Sequence, residues 1–308
     1  MNDIAERPPS RLSAYLALLR PPNITTALAD VLAGYGVAGL GNAAALPWLL
    51  VATACLYGGG VVLNDFFDRR LDQLERPERP IPSGRVPAAT AGSIGGLLLV
   101  ACVAAAMLAS GAAGLIAVAI AALAVIYDAW AKHHPIIGPV TMASCRGFNL
   151  LLGVAAQPAV LATSWPIAML PFTYIAGITA LSRGEVHGGN RAVATLSLTL
   201  VTTVVAALLV LSLGTGPALG TRQSALGSPL VSGVALTLLL AWRVLPAFWR
   251  AFQHLDPRNT RAAVRAGVLS LVLLDATIGA VYAGPAYGLL ILALAPVAWL
   301  LARPFAVT

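Results

Sequence analysis

The chain has 308 residues, of which 58% are hydrophobic and only 10% charged, with a formal net charge of +7 and a mean hydropathy of +0.84. Soluble domains carry about a quarter charged residues, so a soluble protein of this size, a disordered chain and a coiled coil are all excluded. At about 20 residues per span there is instead room for about ten membrane helices.

The first 23 residues contain no apolar stretch with a cleavage site of the kind that marks a signal peptide. Arg7, Arg11 and Arg20 surround an amphipathic stretch there, which predicts an N-terminal interfacial segment over 1–23 lying on the membrane surface. Residues 24–308 then form a single polytopic membrane domain. Apolar runs predict ten spans, at about 24–41, 46–63, 88–109, 112–130, 137–157, 164–181, 193–213, 229–248, 262–282 and 285–302. Nine spans plus a peripheral helix is the alternative. The loops that follow even-numbered spans hold Arg69, Arg70, Arg76, Arg79, Arg85, Lys132, Arg183, Arg191, Arg250, Arg258 and Arg261, and Arg303 follows the last. The opposite loops at 41–42, 110–111 and 157–164 hold no Lys or Arg, and only Arg222 breaks the pattern. This bias places both termini and the 64–87, 131–136, 182–192 and 249–261 loops in the cytoplasm. The expectation is a multi-pass protein of the cytoplasmic (inner) membrane, surrounded by lipid. The positive charge serves topology and not nucleic acid, because no aromatics interleave with the basic clusters. Cys55, Cys102 and Cys145 have no metal-ligand spacing, so neither a zinc site nor a disulfide framework is indicated.

The chemistry-bearing residues begin where the second apolar run ends, at Asn64-Asp65-Phe66-Phe67-Asp68-Arg69-Arg70-Leu71-Asp72. At about 100° per residue, Asn64, Asp68, Asp72 and Asp65 fall within about 100° of one another if the span continues as a helix. Carboxylates and an amide on one face suit a hard divalent cation, and Mg²⁺ commonly shares such a site with substrate phosphates. Three Asp on one face repel one another without a counter-ion, which weighs against a merely solvated acidic loop. Arg76, Arg79 and Arg85 follow on a segment stiffened by prolines and turned by Ser83-Gly84. Arginine forks match phosphate oxygens, and the same residues also serve as positive-inside anchors. Within the spans, Arg146 faces the bundle interior, as a polar-cavity contact in preference to a structural pair. Asp30 and Asp275 are expected in helix-to-helix hydrogen bonds. Asp128 and Lys132 are spaced as a surface pair, which competes with a phosphate role for Lys132.

The order N-D-x-x-D-x-x-x-D and R-P-x-R-P-I-P-S-G-R over 64–85 resembles the first aspartate-rich motif and following loop of the UbiA superfamily of intramembrane prenyltransferases. Arg20-Pro21-Pro22-Asn23, Tyr127-Asp128 with Lys132, Arg146-Gly147-x-Asn149 and Gly153 extend the resemblance over nearly the whole chain. It implies an all-α bundle of nine to ten transmembrane helices around a central cavity with a cytoplasmic polar cap. It also implies Mg²⁺ as cofactor, a polyprenyl diphosphate as donor with its tail in an apolar tunnel, and an unidentified aromatic or other acceptor. Carried onto this chain, Asn64, Asp65, Asp68, Asp72, Glu185 and Asn190 become metal ligands. Asn23, Arg79, Arg85, Lys132 and Arg183 bind diphosphate, and Asp68, Asp72, Glu185 and Arg146 carry catalysis. The family's second acidic motif usually has a cluster of aspartates. Here the 181–191 loop offers one carboxylate, Glu185, beside His187 and Asn190. Its Arg-Gly-Glu-x-His-Gly-Gly-Asn-Arg pattern resembles the divergent UbiA-like member of ebo-type operons. That resemblance implies an alternative role as a non-catalytic lipid-diphosphate or precursor binding and export component.

Overall fold

The structure is a computed structural model and describes residues 11–186, 188–214 and 229–301. His187, Arg222 and Arg303 lie outside the described residues. Every regular element among them is helical. In chain order these are α1 Arg11–Leu19, α2 Pro21–Val37, α3 Leu46–Glu75, α4 Ala88–Ala109, α5 Gly111–Ala129 and α6 Ile137–Val154. The rest are α7 Leu161–Ser164, α8 Met169–Ser182, α9 Arg191–Ser212, α10 Pro229–Gln253, α11 Pro257–Leu269, α12 Leu271–Ala283, α13 Pro285–Leu292 and α14 Leu294–Leu301. A short 3₁₀ turn, Ala131–His133, joins α5 to the approach of α6.

Local chemistry explains the boundaries. Proline, whose missing N–H costs nothing in a first turn, opens α2, α11 and α13. Side chains of Ser110, Asn190 and Asp256 cap α5, α9 and α11 by accepting from free backbone N–H groups. The ten apolar runs fall on helices with some differences, and the tenth is split at Ala293 between α13 and α14. The second run does not end its helix at 63, because α3 continues unbroken to Glu75. The ninth is broken at Ser270, where α11 gives way to α12.

Seven helical stretches are long and apolar enough to cross a membrane, and Ile24–Val37 and Pro285–Ala298 are shorter apolar helices. Six of the seven bury less than half of their apolar window, 28–44%, against 72% for Pro257–Ala283. That contrast makes α12 the central helix and leaves outward faces such as Leu97, Val100, Leu108 and Leu115 exposed, as a lipid-facing surface requires. An apolar groove of about 720 Å³ runs along the outside of α4 and α5, lined by Leu99, Val103, Met107, Val118 and Ile126. Small residues set the closest approach. A Cβ on Gly34 would overlap the Leu150 carbonyl, and one on Gly153 the Val31 carbonyl. Both glycines thus let α2 and α6 pack backbone to backbone, as small residues do between membrane helices.

Candidate active site

Because α3 stays helical through Glu75, Asn64, Asp65, Asp68 and Asp72 share a face. Asp65 and Asp72 are buried, and Asn64 and Asp68 half-buried. Burial of this much negative charge requires cations, and the fold supplies three. Arg20 Nη2 lies 2.7 Å from Asp65 Oδ1. Arg79 Nη1 is 3.3 Å from the same oxygen and 2.8 Å from Asp72 Oδ2. Lys132 Nζ is 2.6 Å from Asp68 Oδ1. Asn64 donates to Asp128 at 2.9 Å, and the charges of Asp65 and Asp68 act on Asp128 from across the site.

Each cation is positioned by a distinct piece of chain. The 76–86 segment folds back through Ser83 N to the Arg79 carbonyl at 3.0 Å, Gly84 N to Ile81 at 3.1 Å and Val86 N to Pro80 at 2.9 Å. Gly84 takes the left-handed conformation this turn needs (φ 75°). Beneath it, Ile81 and Val86 are buried with Ala14 and Leu18 of α1, Val62 of α3 and Ala91 of α4. This apolar plug holds Arg79 against the acidic face. Arg20 stands between α1 and α2 with φ 45°, ψ 63°, a conformation few non-glycine residues hold without compensation; its ion pair to Asp65 is the compensation visible here. Lys132 sits on the 3₁₀ turn. Arg183, which caps α8, donates to the carbonyls of Lys132, His133 and His134 at 3.2–3.4 Å and so steadies that turn.

Other expected residues are placed differently. Asn23 lies in α2, with its side chain outside the described residues. Arg85 bonds within its own loop, to Ser83 Oγ at 2.9 Å and to the Glu78 carbonyl. Lys132 forms its ion pair across the site with Asp68, in place of a surface pair with Asp128. Arg146 shows the structural pair that was the weaker expectation. Its Nε lies 2.8 Å from Asp30 Oδ2, and Nη2 donates to the Thr26 carbonyl at 2.8 Å. Asn190 is exposed, and its side-chain oxygen accepts from Ala192 N at 2.7 Å as the α9 cap, because the free N–H groups of that helix start compete for it.

Glu185 is half-buried at the same end of the bundle. Burial pushes its carboxyl up, against the lowering effect of the Arg261 and Arg76 charges. Gly189 N donates to the Leu255 carbonyl at 2.8 Å. Gly188 adopts positive φ, 90°. Among the described residues no three His, Cys, Asp or Glu side chains converge as a metal cluster, consistent with acids that hold internal cations. Arg20 and Asp128 escaped the expected site list. The sequence signals for them were Arg20-Pro21-Pro22 and Tyr127-Asp128 with Lys132 four residues on.

The curated digeranylgeranylglyceryl phosphate synthase of Methanothrix thermoacetophila is 36% identical over 156 residues, 47% of this chain and 55% of the relative. The one from Methanoculleus marisnigri is 33% identical over 146 residues, 47% and 52%. The chain thus spans about half the length of the curated relatives it matches. Among solved structures, a UbiA homologue of Archaeoglobus fulgidus bound to GPP and Mg²⁺ superposes with a TM-score of 0.62 at 18% identity. That match covers 91% of this chain and 99% of the other, which establishes a shared fold. The sequence profile of the UbiA prenyltransferase family matches residues 24–263. That span includes the acidic face of α3 and the segments that bear Arg79 and Lys132, so this integral, multi-pass membrane protein belongs to the UbiA prenyltransferase family.

Proposed function

We propose that the protein transfers the prenyl group of a polyprenyl diphosphate to an acceptor within the membrane. The observation that carries this reading is the interleaving of Asp65, Asp68 and Asp72 with Arg20, Arg79 and Lys132 at 2.6–3.3 Å. Carboxylates for a divalent cation and donors for phosphate stand side by side. The donor set on α3 is oxygen only, which fits Mg²⁺; when bound there, the ion would neutralise charge on the departing diphosphate. Glu185 would add a ligand from the second loop, with the Asn190 oxygen available only to the extent that the α9 cap releases it.

Arg79 and Lys132 then turn from aspartate to phosphate oxygens. Asn23 and Arg85 complete the diphosphate contacts, and Arg183 keeps the Lys132 turn in place. Preorganised donors of this kind stabilise charge where it develops. The allylic C–O bond breaks with its electron pair leaving on the diphosphate. A lone pair of the acceptor forms the new bond to carbon, and the acceptor loses a proton. Arg146 is left out of this group because its guanidinium is committed to Asp30. The relatives' name favours an acceptor of glyceryl phosphate type over an aromatic one.

The nine- to ten-span bundle with a central cavity, the interfacial segment 1–23 and the cytoplasmic placement of both loops in the inner membrane belong to the same proposal, supported by the charge bias of the loops. Ser83→Cys should stay unlabelled by an impermeant thiol reagent applied to intact cells; labelling would overturn the orientation. A second reading, a non-catalytic lipid-diphosphate binder, rests on Glu185 being alone in its loop while Asn190 serves as a cap. The deciding experiment incubates purified protein with labelled GPP, Mg²⁺ and a panel of acceptors, and follows diphosphate release. Asp68→Ala and Asn64→Ala should abolish both Mg²⁺-dependent GPP binding and release. Binding without release in the unaltered protein would favour the second reading, and unchanged binding in both variants would refute the site.

A further inference from the structure

Away from the acidic end of α3, three helices meet at charges that the proposed reaction does not use. Asp30 of α2 and Asp275 of α12 are both 0% exposed. Asp30 Oδ2 accepts from Asn149 Nδ2 at 2.9 Å and faces Arg146 Nε at 2.8 Å. Asn149 is itself fixed, donating also to the Ala27 carbonyl at 2.9 Å and accepting from the Thr53 hydroxyl at 2.7 Å. In contrast, Asp30 Oδ1 and both oxygens of Asp275 accept no hydrogen bond from any N–H or O–H group of the described residues. Yet the two carboxyl groups face each other closely enough for their side chains to interact.

The charge count does not close. Two carboxylates against one guanidinium leave one negative charge in a buried helix interface, where an unpaired ion costs several kcal/mol. Two ionised carboxylates also cannot hydrogen-bond, since neither has a donor. Among the described residues no neighbouring group supplies the missing charge or donor. Tyr57 of α3 lies in the field of Arg146, Arg20 and Asp30, and Arg20 is paired with Asp65. Tyr174 of α8 lies in the field of Asp275 and of Arg243 on α10, but donates to the Gly267 carbonyl at 3.1 Å. One proton removes both defects. It gives Asp275 and Asp30 a donor and an acceptor, and it balances the guanidinium.

We infer that Asp30 and Asp275 share a single proton and form with Arg146 a neutral buried triad, in which Asp275 is a positioning residue that locks Asp30 onto the guanidinium and α12 onto α2 and α6. The triad stands apart from the acidic face of α3 and does not depend on the transferase reading.

The test counts protons by infrared spectroscopy of the purified full chain, using the D₂O-sensitive carbonyl stretch of protonated carboxylic acids. Relative to the unaltered protein, Asp275→Asn and Asp30→Asn should each lose one acid's worth of this band, since each leaves one carboxylate facing one cation. Arg146→Met should gain one acid's worth, because two carboxyls then face no cation. Asp275→Asn should keep its thermal stability, its amide still donating to Asp30, whereas Asp275→Leu should melt lower. An unchanged band in Asp275→Asn would overturn the inference. If that variant does not fold, the Arg146→Met spectrum decides alone, and no gain there would overturn it equally.

Discussion

Lys132→Met should make Asp68 a better ligand for a divalent cation and the site as a whole a poorer one for diphosphate. Lys132 Nζ stands 2.6 Å from Asp68 Oδ1, with only 11% and 21% of the two side chains exposed. At that distance and an effective dielectric of about 20, the Coulomb attraction is about 6 kcal/mol. Desolvation of the two ions offsets most of it, leaving about 1.5–3 kcal/mol, the net range of a hydrogen bond to a charged group. A cation binding Asp68 must displace that ammonium. Removing it should therefore tighten diphosphate-free binding of Mg²⁺, or of Mn²⁺ as a spectroscopic substitute, by roughly 10- to 100-fold at about 1.4 kcal/mol per decade. GPP binding at saturating Mg²⁺ should weaken by a similar factor, because a donor to phosphate is lost. Lys132→Arg should change both far less. Titration calorimetry for GPP and Mn²⁺ magnetic resonance for the cation measure the two arms. If Lys132→Met leaves metal affinity unchanged while GPP affinity falls, Lys132 does not guard Asp68, and the idea that internal cations hold the metal site is refuted.

Glu185→Gln should weaken Mg²⁺-dependent GPP binding far more than His187→Ala, and equal effects would remove Glu185 from the site. Burial raises the Glu185 carboxyl above its ordinary range, so it takes up its proton earlier as pH falls, and metal-dependent binding should begin to fail at a higher pH than an ordinary glutamate would give. The same shift means that the folded state holds this proton more tightly than the unfolded one. The stability it contributes is complete below the unfolded value and lost as pH rises through the folded one. Glu185→Gln should therefore be relatively more stable at neutral pH, with the difference closing in acid; thermal melts across pH check the sign. Asn190→Asp keeps a competent α9 cap while adding a carboxylate, so Mg²⁺ affinity should rise without loss of stability, whereas Asn190→Ala should cost about 1 kcal/mol. Gly153→Ala places a methyl group against the Val31 carbonyl. It should destabilise the bundle by about 1–3 kcal/mol or more, and an unchanged melting temperature would show that α2 and α6 separate freely.

The acidic face of α3 was legible because a helical period of about 3.6 residues brings Asn64, Asp65, Asp68 and Asp72 together whatever surrounds them. The apolar runs were legible for the same local reason. The end of α3 was not. Hydropathy falls after Leu63, but nothing from Asn64 to Glu75 forbids a helix until Pro77 arrives, so the apolar run and the helix end in different places. Nor could the sequence assign cations to carboxylates. Arg20 reaches Asp65 across 45 residues, and Lys132 reaches Asp68 across 64. Those pairings follow from how α1, α3 and α5 pack, which no local pattern encodes. Arg146 illustrates the same limit, since its partner Asp30 is chosen by the close glycine contact of α2 with α6.

The thirty residues of α3 rise about 45 Å at 1.5 Å each, while the hydrocarbon layer of a bilayer is about 30 Å thick and the headgroup zones bring it to about 40–45 Å. The helix therefore crosses the oily layer and the adjoining polar zone as one rigid post. Asn64 and Asp72 stand about 12 Å apart along it, a height comparable to that of a lipid headgroup and its first water layer. A lipid-borne diphosphate could meet its ligands at the level where it already floats, with its tail still in oil. A thinner or thicker bilayer would shift that level relative to the post, so activity in vesicles of graded acyl-chain length should pass through an optimum.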